Sequence, residues 1–596
     1  MSIPGSEAVE VPVLIVGAGP AGLALSVALS RYGVGHLVVE RHRGTAHTPR
    51  AHIINQRTIE IFRHLGISDR FHAVATPQHL MASNLWVTTL AGLEVARSET
   101  WGTSAERAAD YRAASPEPMA NCPQTVLEPM LLGAARDIGA DIADIRFGWE
   151  FTSLAQDQDG VTSVIRERDE EATLTVRSQY VVGADGARSR VLGQAGLSVE
   201  GPDDLARAAN IWFRADLSRY LAYRPGVLTW NVMPGPLPPL RLGTLICHKP
   251  FTEFVLAFMY DPEQTSLDTL GADELYQRIR AFVGEDVDAE ILGVAGWQVR
   301  AQIASSYAAG RVFCMGDAVH RHPPTNGLGL NMSIADAYNL GWKLALVLAG
   351  RAGAALLDSY SPERQPVGAQ GVQRAITSLQ EGAAVEAALG YEPAQPAEAG
   401  WKALGTLYEP GPAGDERRDA LHKAIELSNY QFNAHGIELG YRYRSDAIAD
   451  DGSPDPIPKP PARDPQLYYQ PTTRPGARVP HARLEQDGVP VSSLDLVDDL
   501  GFALLTGVGG EAWVQAAAEI SARAGVPIRV HVIGGRDGVT DPYGEWASLR
   551  EVETTGCVLV RPDRHVAWRS MRHTADSARR LPAVVEQALG LTGRRA

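Results

Sequence analysis

The run Gly17-Ala18-Gly19-Pro20-Ala21-Gly22 and the acid Glu40 are the first residues whose types and spacing imply chemistry. A GxGxxG run suits a ligand carrying a pyrophosphate. Its first glycine permits a sharp turn out of a strand. Its second lets backbone approach the phosphates, and its third lets a helix pack close to the strand. The helix that follows offers free N–H groups and the positive end of its dipole. Glu40, with Arg41 beside it, lies 23 residues after Gly17, where a carboxylate can accept from ribose hydroxyls.

Two more groups lie downstream. Gly183-Ala184-Asp185-Gly186, followed by Arg188 and Arg190, ends the short apolar run Tyr180–Val182. Two readings stay open for it: an aspartate capping a helix beside solvated arginines, or a turn facing a ligand. The other group, Gly316-Asp317, ends the apolar run Val312–Met315. An aspartate at the C-terminal end of a strand in a doubly wound sheet points into the ligand crevice, where it can accept from a polyol hydroxyl. Pro323 and Pro324 stiffen the next loop, and Gly327 and Gly329 let backbone pass close to a flat ring. A helix predicted over Asn331–Leu348 presents its first N–H groups to that ring, an arrangement suited to a flavin that gains negative charge on reduction.

The elements that must position these residues follow from apolar patterning. Val11–Val16 reads as a buried strand, 21–32 as a helix and His36–Val39 as a second buried strand. From Pro202 to about Val299 apolar and polar residues alternate, which predicts an antiparallel sheet. Pro362 to about Ile448 reads as mainly helical. Asp450–Pro465 is a Pro-rich connector that cannot be helix or central strand. Beyond it the pattern is strand, a helix over 511–524, strand and hairpin.

Bulk properties narrow the function. The net charge of −15 argues against nucleic acid or an anionic membrane as the main partner. The four cysteines, Cys122, Cys247, Cys314 and Cys557, form no CxxC and no metal-ligand cluster, so four reduced thiols and no metal are expected. The first residues lack a basic and apolar signal pattern, and no apolar stretch reaches the ~18 residues of a membrane span. A cytoplasmic protein is the expectation.

These motifs in this order resemble the class A FAD-dependent aromatic monooxygenases, the group of para-hydroxybenzoate hydroxylase and phenol hydroxylase. Thr48–Ile67 (TPRAHIINQRTIEIFRHLGI), Cys122–Leu131 (CPQTVLEPML), Gly316–Asn331 and Asp464–His481 look most like the 2,4-dichlorophenol 6-monooxygenase branch. The resemblance covers essentially the whole chain. It implies an α/β plus α+β architecture: a para-hydroxybenzoate-hydroxylase-like FAD fold, an antiparallel substrate-domain sheet and a C-terminal thioredoxin-like domain without CxxC. The implied boundaries are 1–200 with 300–380 for FAD, and 201–299 with parts of 70–125 for substrate. A helical segment and linker over 381–465 and the last domain over 466–596 complete the chain.

The resemblance implies FAD as cofactor, with NADPH or NADH and O2 as co-substrates. Gly17, Gly19, Pro20, Ala21, Gly22, Glu40 and Arg41 would serve the ADP half. Arg50 would lie near the phosphates, and Gln124 and Asp317 near the ribityl–pyrophosphate region. Pro324, Gly327, Gly329, Leu330 and Asn331 would line the isoalloxazine. Asp185, Gly186 and Arg188 would serve both FAD and the nicotinamide. Oxygen would pass from a flavin C4a-hydroperoxide to a phenol-type or hydroxypyridine-type ring. Epoxidation or Baeyer–Villiger insertion on a polyketide scaffold, and a non-catalytic flavin-binding interaction protein, are the alternatives.

His52 stands in the segment where phenol hydroxylase carries an aspartate. It is the candidate base, since an imidazole of pKa ~6.5 suits proton relay. A histidine that only packs or touches flavin is the competing reading. Trp230 and Trp297 fall on the substrate sheet, with core packing the simpler role for each. His320 and His322 lack a third ligand and read as flavin-adjacent. Asp110 and Tyr111 match the branch without a physical role. A small aromatic substrate and a homo-oligomer, dimer or higher, complete the expectation.

Overall fold

The computed structural model describes residues 8–591 apart from 171, 236–242, 265, 268–269, 455–462 and 536–537. Residues 1–7 and half of the Pro-rich connector, 455–462, therefore lie outside the described residues. Strand β1 (Ala8–Val16), helix α1 (Pro20–Arg31) and strand β2 (His36–Glu40) open the chain. Pro20 occupies the first turn of α1, where its fixed φ is helical and its missing N–H is not needed. A hairpin, β3 (Ser83–Val87) and β4 (Glu94–Glu99), leaves for another sheet. Helix α2 (Gln124–Ile138), β5 (Ala143–Phe147) and the long β6 (Thr173–Gly183) return to the first. Strands β5, β2, β1 and β6 lie side by side and parallel, and β1 begins before its apolar run because Ala8–Glu10 also pair with β6.

The second sheet uses β7 (Ala206–Arg214), β8 (Gly226–Asn231), β9 (Thr244–Lys249) and β10 (Glu253–Tyr260), then helix α3 (Ala272–Val283) and β11 (Glu290–Val299). Its order is β11-β7-β10-β9-β8-β3-β4. The expected antiparallel sheet is in fact mixed, because β8 runs parallel to β3 with Trp230 beside Trp86. Those two strands come from distant stretches of chain, so no hairpin imposes their direction. Alternation sorts the faces. Leu245, Phe254, Leu256 and Phe213 pack on Ile279 and Phe282 of α3. On the other face Trp86 and Leu228, with Trp230 and Ile246 alongside, join Ile53, Met81 and Phe432.

Strand β9 carries a bulge. Cys247 pairs with Phe254 and Lys249 with Glu253, leaving His248 between them without a cross-strand partner. Such a bulge bends the strand and re-aims the extra residue.

The chain then returns to the first sheet through β12 (Val312–Cys314), followed by α4 (Leu328–Leu348) and α5 (Tyr360–Glu381). Val39, Val16, Gly183 and Cys314 align across four parallel strands, so the three glycine turns emerge at one edge. Backbone bonds lace them: Gly17 N donates to Val39 O at 2.8 Å, Ala184 N to Val16 O at 2.8 Å, and Met315 N to Gly183 O at 3.0 Å. Helix α4 starts at Leu328, earlier than the expected Asn331, because Gly327 at φ 63° swings the chain directly into it.

The C-terminal part contains β13 (Phe502–Gly507), α6 (Ala512–Ala524), β14 (Ile528–Ile533), β15 (Cys557–Val560), β16 (Val566–Ser570) and α7 (Ala575–Ala588). The sheet order is β14-β13-β15-β16, with only the β13–β14 pair parallel. Trp513, Trp568 and Leu581 pack with Trp342 and Leu346 of α4. Beside this apolar seam lies a buried charge cluster. Glu363 of α5 accepts from Lys343 Nζ at 2.8 Å and from both terminal nitrogens of Arg561 at 2.6 and 2.8 Å. Asn339 and Ser445 also donate to it, each at 2.7 Å.

Candidate active site

At the shared strand edge a cavity of about 250 Å³ opens. It brings together Gly17, Gly19, Glu40, Arg41, Arg50, Gln124, Asp185, Gly186 and Arg188 from the sequence reading, with Glu128. Gly17, at φ 106°, has no room for a side chain: a Cβ would lie 2.3 Å from Ala184 O. A Cβ on Gly22 would lie 2.0 Å from Gly17 O, so this glycine serves helix–strand packing; Pro20 and Ala21 begin the helix. Gly19 is open, with only Glu128 Oε1 at 4.0 Å from a Cβ there.

The donor set fits a dinucleotide pyrophosphate. No side chain caps the start of α1, whose N-cap residue Gly19 lines the cavity. Arg50 and Arg188 line the same space without a hydrogen bond or ion pair to any described residue. Glu40 Oε2 accepts from Ala18 N at 2.9 Å, which places the acid beside the glycine turn. Gln124 is held by Glu128, whose Oε1 accepts from its amide at 2.6 Å while Oε2 accepts from Ala46 N at 2.6 Å. Burial raises the Glu128 carboxyl above the usual range, against those hydrogen bonds. Asp185 keeps both oxygens for capping, accepting from Ser189 Oγ at 2.6 Å and from Arg190 N at 2.7 Å. Its carboxylate caps the helix start while the residue lines the cavity, so both sequence readings are compatible with its place.

The residues expected to line the flavin ring lie outside this cavity's lining, on the adjoining turn. The Gly186–Arg188 turn packs against the Gly316–Ala318 turn. Asp317 is exposed there, and Asp336 of α4, which the sequence reading missed, holds that turn from beneath. Its Oδ2 accepts from Gly316 N at 3.1 Å and from His320 Nε2 at 2.9 Å, and Arg364 donates to its Oδ1 at 2.7 Å. Burial alone would raise the Asp336 carboxyl, but Arg364 and His320 hold it below its usual range. His320 is thus a structural partner. His322 packs over the first turn of α4, its Nε2 3.1 Å from where a Gly329 Cβ would stand.

Pro324 precedes a short turn, Thr325–Gly327, and Gly329 and Leu330 lie in the first turn of α4. Asn331 departs from the sequence expectation in its side chain. Oδ1 accepts from Asn55 N at 3.0 Å and Thr58 Oγ1 at 2.7 Å, and Nδ2 donates to Ile53 O at 2.9 Å and Gly327 O at 2.7 Å. With its side chain fully engaged, only its backbone remains for a ring.

His52 immediately precedes the short strand Ile53–Ile54, which pairs with Ala120–Asn121. Its Nδ1 lies 2.8 Å from Asn121 Oδ1, and Asn121 Nδ2 donates to Cys247 O at 3.3 Å. This chain decides the tautomer. A backbone carbonyl can only accept, so Asn121 presents its nitrogen to Cys247 and its oxygen to His52. Nδ1 of His52 must then carry the proton, leaving Nε2 with a lone pair. Burial pushes the His52 imidazole down to about 4, with the Asn121 hydrogen bond opposing, so the ring is neutral at neutral pH.

His248 faces it, with ring centroids 6.3 Å apart. Burial, the neighbouring His52 and Lys249 push His248 down to about 3. Trp230 stands on the apolar face with its Nε1 unpartnered. Trp297 donates Nε1 to Asn210 Oδ1 at 3.0 Å, and Asn210 in turn donates to Pro49 O at 3.3 Å, joining the sheet to the Arg50 loop. Asp110 and Tyr111 lie apart from this chemistry: Asp110 pairs bidentately with Arg463 at 2.9 and 2.6 Å, and Tyr111 stacks on His435 at 3.8 Å.

Comparison with known proteins agrees with this geometry. The FAD binding domain family matches residues 10–375, and the family described as aromatic-ring hydroxylase, C-terminal, matches residues 472–591. The chain is 42% identical over 585 residues to 2,4-dichlorophenol 6-monooxygenase of Delftia acidovorans, covering 98% of this chain and 99% of that protein. It is 40% identical over 583 residues to phenol 2-monooxygenase of a Pseudomonas strain, covering 96% and 91%. The crystal structure of the flavin-dependent monooxygenase PieE in complex with FAD and substrate superposes with a TM-score of 0.94 at 50% identity, covering 98% of this chain and 99% of that one. Among the described residues no helix is long and apolar enough to cross a membrane.

Proposed function

The chain belongs to the FAD-dependent aromatic-ring monooxygenases, and from that premise we propose that it inserts one oxygen atom into a phenol-type or hydroxypyridine-type ring bound between His52 and the Leu228–Trp230 face of the mixed sheet. Ring C–H, O2, NAD(P)H and a proton give ring C–OH, NAD(P)+ and water. FAD supplies the electron transfer from NAD(P)H and the activation of O2. Gly17, Gly19, Gly22 and Glu40 serve its ADP half, Arg50 and Gln124 the pyrophosphate, and Asp317 the ribityl chain. Pro324, Gly327, Gly329, Leu330 and the backbone of Asn331 border its ring, while Asp185, Gly186 and Arg188 serve both FAD and the nicotinamide nucleotide.

The observation that carries the reading is the acceptor lone pair on His52 Nε2, fixed by the Asn121–Cys247 chain. A ring hydroxyl gives its proton to Nε2. The electron pair left on oxygen enriches the ortho and para carbons, where the new oxygen enters. The apolar wall of Met81, Trp86, Leu228 and Phe432 supports exclusion of water, without which reducing equivalents escape as hydrogen peroxide.

We also read 466–596 as a thioredoxin-like domain. The support is its order β14-β13-β15-β16 with one parallel and two antiparallel pairings. Its one cysteine, Cys557, is buried and free, which favours a packing role over a redox one. The FAD-binding part is 1–200 with 300–380, the substrate part 201–299 with pieces of 70–125, and 381–465 connects them to the last domain.

The test is NADPH and NADH oxidation by the FAD-loaded protein with phenols, chlorophenols, hydroxypyridines and polyketide-type phenols, quantifying peroxide and product together. Acceleration with hydroxylated product matching the reductant consumed is expected. Acceleration with an epoxide or lactone as product would overturn the hydroxylase reading.

A further inference from the structure

An imidazole always carries one N–H and one lone pair. His248 is 2% exposed, and neither of its ring nitrogens has a partner among the described residues. Packing alone does not account for it, since a histidine serving only as core would leave both polar atoms unmet. Three observations place the residue beside His52. The residue is the extra one of the β9 bulge, a device that re-aims a side chain. Its ring centroid stands 6.3 Å from that of His52, whose Nδ1 is the nitrogen engaged by Asn121. The carbonyl of the preceding residue, Cys247, is the group that anchors Asn121 and so sets the His52 tautomer.

We propose that His248 is a substrate-contacting residue that donates its N–H to the ring oxygen of the bound phenol while His52 takes that oxygen's proton. The proposal rests on the phenol-type reading above. The O–H bond breaks, the electron pair stays on oxygen, and the proton forms a new N–H bond at His52 Nε2. The negative charge of the resulting phenolate offsets the burial that keeps His52 neutral in the empty site, and the phenolate lies between the imidazolium so formed and a neutral imidazole donor. Division of labour follows from the surroundings. His52 is fixed as an acceptor by Asn121, whereas no protein group fixes His248, which is free to present its N–H. The other charges at this strand end are paired among themselves, Lys249 with Glu253 at 2.9 Å and Arg214 with Glu253 at 3.9 Å and Glu290 at 2.5 Å, and leave the phenolate to the two histidines.

The pocket then recognises an ionisable ring hydroxyl with two nitrogens and the rest of the ring with apolar surface. A methyl ether of the same ring, with no proton to give, is excluded from the oxygen-transfer step.

The experiment reads ionisation directly. FAD-loaded wild type, His248→Leu and His248→Gln are titrated with 4-nitrophenol, whose phenolate absorbs visibly, across a range of pH. Substrate-stimulated NADPH oxidation is measured in parallel on the phenol panel. The flavin spectrum and melting temperature report folding of each variant. Wild type is expected to bind the probe with its pKa lowered. In His248→Leu that pKa rises by about one unit, a tenfold loss in the ratio of phenolate to phenol. His248→Gln, which keeps a donor, recovers part of the shift. Equal probe pKa in wild type and His248→Leu, with NADPH oxidation still stimulated, would overturn the role of His248 while leaving the hydroxylase reading intact. Absence of both binding and stimulation by every phenol in wild type would overturn the hydroxylase reading, and this inference with it.

Discussion

The Glu363 cluster is buried and the His52–His248 pair half-buried to buried; both are polar, and they are built on opposite rules. Around Glu363, two cations, Lys343 and Arg561, face two anions, Glu363 and Asp563, and the carboxylate of Glu363 accepts from four side chains. Charge is matched inside the protein. In the histidine pair the groups are neutral, His52 has one nitrogen engaged, and His248 has neither. The match there must come from outside. A closed network joins two parts of one chain, whereas an open one is a place for a ligand, at a standing cost in stability.

The largest test of this contrast is Glu363→Ala. It strands Lys343 and Arg561 without their shared anion, and a loss of about 3–5 kcal/mol in unfolding free energy is expected from urea denaturation. A loss under about 1 kcal/mol would mean the cluster is dispensable and the contrast false. His52→Gln should reverse the pattern: hydroxylation of the preferred phenol slows about a hundredfold at neutral pH while the unfolding free energy barely falls. Single-turnover product formation and urea curves on the same preparation check it.

Asp336→Asn tests a closed network that holds a turn rather than a domain seam. It weakens the acceptor for Gly316, His320 and Arg364, and FAD affinity should fall about tenfold or more, read by flavin fluorescence on dilution.

Acid should act on the open pair. Both imidazoles have folded values, about 4 for His52 and about 3 for His248, below the ordinary 6.5. The unfolded chain binds their protons first, so the stability present above pH ~6.5 is lost on acidification towards those values, by up to about 1.4 kcal/mol per pH unit for each ring. Comparing urea midpoints at neutral and mildly acid pH, His248→Leu should lose less than wild type. The smallest effect belongs to Trp297→Phe, which removes the hydrogen bond to Asn210 and should cost about 1 kcal/mol, with a modest rise in peroxide as the Arg50 loop loosens.

The parts of this site that are legible in the sequence are those whose cause is local. Gly17, Gly183 and Gly316 each follow an apolar strand, and parallel pairing then carries all three to one edge. Even there a boundary slips: nothing near Leu328 resembles a helix start, because the signal is the left-handed backbone of Gly327. Asp336 sits inside a helix and His248 inside a strand, and each acquires its meaning from residues far away in the chain. The bulge that turns His248 depends on how β9 and β10 register, and the parallel β8–β3 pairing depends on a hairpin that precedes it by a long stretch of sequence. Asn331 reads as a ring contact because the flavin loop surrounds it, but its amide finds four backbone and side-chain partners first.

That amide has an evolutionary side. By binding Ile53, Asn55 and Thr58 to the start of α4, Asn331 makes the His52 segment and the flavin-side turn one rigid unit. The mixed sheet meets that unit through few polar bonds, chiefly the Asn121–Cys247 and Asn210–Pro49 links. Under the proposed roles, substitutions on the sheet's apolar face can reshape which ring is accepted while the spacing between His52 and the turn expected at the flavin stays fixed. A lineage built on this plan can change diet without relearning its chemistry.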